Sequence, residues 1–345
     1  MKRYHYMDLL NILATFAVVM LHSSNLAFSN IGGFRWDLTV AIQVAFIFAV
    51  PIFFMISGAN ILDYREREET SLFFKKRFSR VVVPFIFWSI VWFFYNNIQY
   101  WHHPWRSLNT YLRLFDSIMH GSAQPIFWYF YVIIGFYLSA PLLSKITTVQ
   151  QKKTVEYLLL INLIFVALLG YYYGLKNQPD AAFSGGISIG VSGSIGFFVL
   201  GWYLKHFPLN DKIQKLLYVG GIISLIIMIA MTILLSHNRG QYQRQVYSIW
   251  GIFGLTWSAA IYTFFQKHFI NWNPSEKVQN LLRRWASASL DVYVIHYFFI
   301  DTLEKRYHLA PNSLKHILIM PIFVWLASLL IVVIIRKIPY LRRTV

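Results

Sequence analysis

The chain has 345 residues, with 31 Lys and Arg against 14 Asp and Glu, for a net charge of +17. Apolar types make up 57% and charged types 13%, about half the roughly 25% that soluble domains carry, and the mean hydropathy is +0.49. A water-soluble globule cannot hide this much apolar surface under so little charge. Disorder, a coiled coil and a soluble nucleic-acid binder are therefore excluded despite the basic charge, and an all-α polytopic membrane protein remains. Cysteine is absent, which removes disulfides, Cys-ligated zinc, iron–sulfur clusters and a thiol nucleophile.

Crossing a hydrocarbon core of about 30 Å takes about 20 mostly apolar residues. About ten stretches qualify: 8–27, 38–62, 80–100, 126–144, 155–174, 187–205, 216–236, 247–266, 285–303 and 314–336. The first follows Met1-Lys2-Arg3, but it is long, contains Asp8 and Asn11 and has no A-x-A cleavage site, so it is expected to be retained. With ten spans, 22 of the basic residues fall on the side of the termini and nine on the other. The positive-inside rule then places both termini in the cytoplasm, in a multi-pass protein of the plasma membrane. Some attraction to anionic lipid is also expected. No connection is long enough for a soluble module, so 1–345 is read as a single integral membrane domain. No internal repeat is evident. The connection 101–125 is aromatic and suits the membrane interface.

Ionisable groups within spans are expensive and mark function. In span one, Asp8, Asn11, Thr15 and His22 fall within about one third of the helix circumference and form one polar stripe. His22 lies ~21 Å along the helix from Asp8, toward the far side of the membrane. A lone histidine is usually structural. With the stripe and the neighbouring Ser23, Ser24 and Asn25, a general base is the favoured reading. Span two ends in PIFFMISG, where Ser57 and Gly58 suit helix packing or a ligand. Lys75, Lys76, Arg77 and Arg80 precede span three. They are either plain anchors or a clamp for the phosphates of an anionic donor, with Arg77 and Arg80 at i, i+3.

Span four opens with Trp128 and Tyr129, which are either belt residues or a platform for a sugar ring. The segment 185–196 is glycine-rich at the entry of span six, where small residues favour packing over nucleotide binding. Span nine carries Ser289, Asp291, Tyr293 and His296. Ser289, Tyr293 and His296 share a face, as a structural network or as part of a site. HExxH, Walker A, GxSxG and GxGxxG motifs are absent, no carboxylate pair accompanies Asp8, and no metal site is expected.

Taken in order, Asp8, His22, FFMISG (53–58), KKRFSRVVVPF (75–85), FWYFYVIIGFYLSAP (127–141), FFVLGWYL (197–204) and SASLDVYVIH (287–296) resemble acyltransferase family 3, the integral membrane acyltransferases of cell-surface carbohydrates. The resemblance covers most of the chain. It implies transfer of an acyl group, acetyl most commonly, from cytoplasmic acyl-CoA to a hydroxyl of a cell-surface or exported glycan. Acyl-CoA would be a donor substrate, with no permanently bound cofactor, and the partners would be acyl-CoA, a carbohydrate acceptor and lipid, not nucleic acid. His22 matches the family's essential histidine. Lys76, Arg77 and Arg80 match its donor-handling basic region, Ser57 and Gly58 its Ser-Gly pair, and Tyr293 and His296 its late Tyr…His element. Where the family commonly has Arg or Lys, ten intervening residues before the histidine, this chain has Asn11. Two other classes compete: a flippase or exporter of a lipid-linked saccharide, which predicts repeat symmetry, and a non-catalytic membrane partner in glycan assembly.

Overall fold

The apolar runs fold into helices throughout the computed structural model, which describes residues 3–29, 31–105, 107–176, 193–307, 310 and 312–339. Helix accounts for 84% of the structure, and the described residues contain no strand. Among those residues, eight helical stretches are long and apolar enough to cross a membrane: His5–Ser23, Gly33–Glu66, Thr70–Trp101, Pro125–Ile146, Val149–Leu175, Asp211–Arg239, Arg244–Phe269 and Lys315–Ile335. They correspond to eight of the ten expected spans. The sixth is represented by the helix Gly193–His206; its expected start, like residues 185–192 of the glycine-rich segment, lies outside the described residues. The ninth is the helix Ser289–Tyr307, long enough at 19 residues but carrying Asp291, Asp301, Glu304, Lys305 and Arg306.

Contacts divide the chain into two compact units, Met1–Leu62 with Ile146–Leu330, and Asp63–Lys145 with Ile331–Val345. In chain order the helices are α1 (His5–Ser23), α2 (Gly33–Phe46) and α3 (Ala49–Ile61). The second unit holds α4 (Thr70–Arg77), α5 (Val83–Asn96), α6 (Leu108–His120) and α7 (Trp128–Ile146). The chain then continues with α8 (Lys152–Asn162), α9 (Tyr171–Leu175), α10 (Gly193–His206), α11 (Asp211–Arg239), α12 (Ile252–Phe269), α13 (Glu276–Ser287), α14 (Ser289–Tyr307) and α15 (Met320–Ile335).

In the first unit α1 is central, packed on α2, α3, α12, α13 and α14. Its polar stripe would be costly against lipid, so burial among other helices is what its sequence requires. One core joins α2 to α11 through Trp36, Val40, Val44 and Met228, and Trp257 Nε1 donates to Ala45 O at 3.0 Å. The long helix α11 starts at Asn210, whose side chain accepts from Ile213 N at 2.9 Å, and ends at Gly240 in the left-handed region.

The contact of α3 with α10 is closest at two glycines. A β-carbon on Gly58 would lie 1.6 Å from the Phe198 carbonyl oxygen, and one on Gly201 would lie 1.9 Å from that of Met55. Backbone meets backbone there, the small-residue packing expected between membrane helices.

The second unit is built on aromatic rings. Phe85 contacts Phe127, Phe130 and Tyr131, and Tyr64 stacks on Phe73 with centroids 4.3 Å apart. A π-helical turn, Phe78–Val82, joins α4 to α5. Within the aromatic connection 101–125, α6 exposes Leu108, Tyr111, Leu112, Phe115 and Met119 along one side.

Candidate functional site

Asp8 occupies the first turn of α1, where a negative charge complements the helix dipole. Arg3 grips it with both arms, Nε to Oδ2 at 2.8 Å and Nη2 to Oδ1 at 2.7 Å. The carboxylate is thus already paired, at the opposite end of the helix from His22. One turn on, Asn11 Nδ2 donates to the Ala286 carbonyl at 3.3 Å and ties α1 to α13. Thr15 returns its hydroxyl to Asn11 O at 2.7 Å. The stripe is therefore real and faces protein, but its first half is engaged in helix packing.

At the far end of α1 the polar groups change character. His22 is half-buried, and among the described residues neither ring nitrogen has a hydrogen-bond partner. Its ring lies 5.3 Å from that of His296 on α14, centroid to centroid, with planes tilted 35°. Tyr297 meets it edge-on at 6.2 Å. His296 is fully buried, and its Nδ1 lies 3.1 Å from the Val292 carbonyl. A carbonyl only accepts, so Nδ1 carries the proton and Nε2 presents a lone pair. That Nε2 is buried and has no partner among the described residues. Tyr293 packs beside it at 6.1 Å, with Ser289 and Asp291 also buried on α14. His22, Tyr293 and His296 are thus brought together, whereas Asp8 and Asn11 stand apart from them.

Two further sets of contacts support this end of α1. Gln43, buried on α2, donates from Nε2 to Leu21 O at 2.6 Å and to Ser24 O at 3.3 Å, so it fixes the backbone on both sides of His22. Asn25 Nδ2 donates to Glu304 Oε1 at 3.4 Å, and that oxygen also faces His316 Nε2 at 3.2 Å. Gln43 had a legible signal as a lone amide inside the apolar run AIQVAF. Asn25 was marked only as a polar neighbour of His22, and its partners Glu304 and His316 carried no signal because they lie far along the chain from it. Among the described residues no three His, Asp or Glu side chains gather as a metal site requires. Ser57 is half-buried on α3, and the close approach to α10 accounts for Gly58.

In the second unit the basic segment is differentiated. Lys76 is ion-paired with Glu68, and the ammonium holds that carboxylate below its usual pKa. Arg77 lies over two aromatic faces, 5.4 Å from the Phe73 centroid and 5.9 Å from that of Tyr137. Its Nε is buried and has no hydrogen-bond partner among the described residues. Arg80 sits in the π-helical turn and is exposed; such turns recur at functional sites. Trp128 begins α7, exposed, with Tyr129 half-buried beside it.

A helical, apolar, multi-pass chain in which two imidazoles pack against each other between helices is a membrane protein. A family model described as "Acyltransferase domain" matches residues 4–336, and the chain belongs to that family, acyltransferase family 3. It is a membrane acyltransferase. No curated protein and no solved structure matched the chain.

Proposed function

We propose that the protein moves an acyl group, acetyl first among the candidates, from acyl-CoA to a hydroxyl of a cell-surface or exported glycan, with His22 as general base. The observation that carries this reading is the His22–His296 pair: a half-buried imidazole free of hydrogen bonds among the described residues, set against a second imidazole with a defined tautomer. Family membership supports acyl transfer as the reaction type.

On this reading His22 takes the proton of the acceptor hydroxyl while its oxygen attacks the thioester carbonyl. The C–O bond forms, the C–S bond breaks, and the proton passes from His22 to the CoA thiolate. That thiolate leaves readily because a thiol's pKa is about 8.5. Tyr293, whose ring lies 6.1 Å from that of His296, is assigned to steady the tetrahedral oxyanion. Arg77 and Arg80 hold the donor's phosphates. The aromatic cradle of Arg77 and its Nε, without a hydrogen-bond partner among the described residues, favour that role, and Trp128 and Tyr129 offer faces for a sugar. The same reading places both termini in the cytoplasm and the protein in the plasma membrane, supported by the basic-residue asymmetry. It needs no permanently bound cofactor.

The test is acyl transfer in membrane vesicles with labelled acetyl-CoA supplied on the side of the termini. Label should enter glycan with wild-type protein and not with His22→Ala at equal expression. Transfer that survives in His22→Ala removes the base assignment; no transfer by the wild type removes the donor and acceptor assignment.

A further inference from the structure

We propose that an open cavity beside the end of α1 is the subsite for the saccharide acceptor, an inference that rests on the acyl-transfer reading above. The cavity has a volume of about 830 Å³ and is lined by Asn25, Ser29, Phe34, Arg35, Trp36 and Asn312, with Leu26, Gly32 and Gly33 completing its wall. Small-ligand sites typically run from about 300 to 1,000 Å³. Every residue named belongs to the first unit.

Its chemistry suits a sugar. A saccharide presents hydroxyls that donate and accept, and a C–H face that packs on an aromatic ring. Phe34 is 73% exposed, an uncovered ring at the rim. Arg35 spends one N–H on the Asn312 carbonyl, Nη1 to O at 3.2 Å, which steadies it and leaves the rest of its fork available. Asn25 is oriented by Glu304 through Nδ2, and its Oδ1 accepts no hydrogen bond from the described residues. Trp36 is buried in the wall, and its Nε1 donor has no partner among the described residues. Gly32 and Gly33 hold positive φ, +147° and +74°, and a β-carbon on either would meet nothing within 4 Å. Their lack of side chains keeps that stretch of wall open.

Its position suits the reaction as well. Asn25 opens the short 3₁₀ turn that follows α1, three residues beyond His22. The Gln43 hydrogen bonds to Leu21 O and Ser24 O fix the backbone between base and cavity. A chain seated here lies against the turn that directly follows the helix carrying the base, and the charged guanidinium at the rim favours a glycan bearing an anionic or strongly polar substituent.

The test uses the absence of native cysteine. Phe34→Cys and Asn312→Cys are labelled in vesicles with a membrane-impermeant maleimide, with or without the water-soluble oligosaccharide pool released from the source cell's envelope, and separately with acetyl-CoA. Oligosaccharide should slow labelling at both positions severalfold and acetyl-CoA should not. Equal labelling with and without oligosaccharide overturns the subsite, as does protection by acetyl-CoA alone. In the transfer assay, Arg35→Ala should raise the acceptor KM about tenfold and leave the acetyl-CoA KM unchanged. An unchanged acceptor KM overturns the Arg35 role. If the wild type transfers no label, the acyl-transfer reading fails, and the labelling result still decides whether the cavity takes saccharide.

Discussion

The imidazole of His22 stands 5.3 Å from that of His296, ring centre to ring centre, and only His296 has its tautomer set by a backbone carbonyl. One ring is anchored and the other is free to form new hydrogen bonds. That asymmetry assigns different roles to them, with His22 as the group that meets substrate and His296 as a positioning residue. His22→Ala should reduce kcat by about 10²- to 10⁴-fold. His296→Ala should lower kcat about tenfold with both KM values little changed, and should move the acid limb of the pH–rate profile. Because the base works deprotonated, activity should be present above the His22 pKa and lost below it. Equal losses in kcat and folded yield for His296→Ala would indicate a merely structural role.

Gln43 offers a second test of positioning. Gln43→Glu keeps the shape but removes the donors to Leu21 O and Ser24 O, a loss of about 1–3 kcal/mol per unsatisfied group. The expected result is a lower kcat at unchanged donor KM. Thermal denaturation in detergent, followed by size-exclusion chromatography, should separate this effect from general unfolding.

Gly58 lies in the family's Ser-Gly pair, yet its geometry is that of a packing residue. Gly58→Ala and Gly201→Ala each drive a methyl into a backbone carbonyl and should cost about 3 kcal/mol or more. The check is folded yield and melting temperature. Normal melting with lost donor binding would reassign Gly58 to the ligand.

Lys76 and Arg77 are neighbours with opposite expectations. Arg77→Ala should raise the acetyl-CoA KM about tenfold, and more at low salt than at high salt. Lys76→Ala should change it less than twofold, because Glu68 already holds the ammonium. The pair depends on an ionised Glu68 whose pKa is lowered by Lys76, so its contribution is present above the usual glutamate pKa. It is lost as the pH falls through the depressed value. Donor KM measured across that range for wild type and Lys76→Ala checks the assignment.

Much of this was legible in the sequence, and the rest failed for identifiable reasons. Apolar run length located the helices, and the periodicity of Asp8, Asn11, Thr15 and His22 correctly marked a face of α1 that is turned toward protein. Periodicity could not say what each residue meets. Asp8 is answered by Arg3 from the preceding turn, and Asn11 by a carbonyl on α13. The pairing of His22 with His296 was hidden because it depends on how α14 packs against α1. The cavity was invisible for a different reason. Phe34, Arg35 and Asn312 carry no motif, and only the turn after α1 and the chain before α15 bring them to one place.

The π-helical turn Phe78–Val82 carries a consequence for chain length. α5 buries Pro84, Phe85, Trp88, Ser89, Trp92 and Phe93 along one side, and the turn before it holds one residue more than an α-turn would. Removing one of these five residues would let the helix close into a regular spiral with the residues on either side kept nearly in phase, because the extra residue is already taken up by a wider turn. The same deletion in the middle of α5 has no wide turn to absorb it and would rotate everything beyond by about 100°. The buried side of α5 would then face the wrong way. A single-codon deletion within Phe78–Val82 should therefore be tolerated better than one a few residues further along.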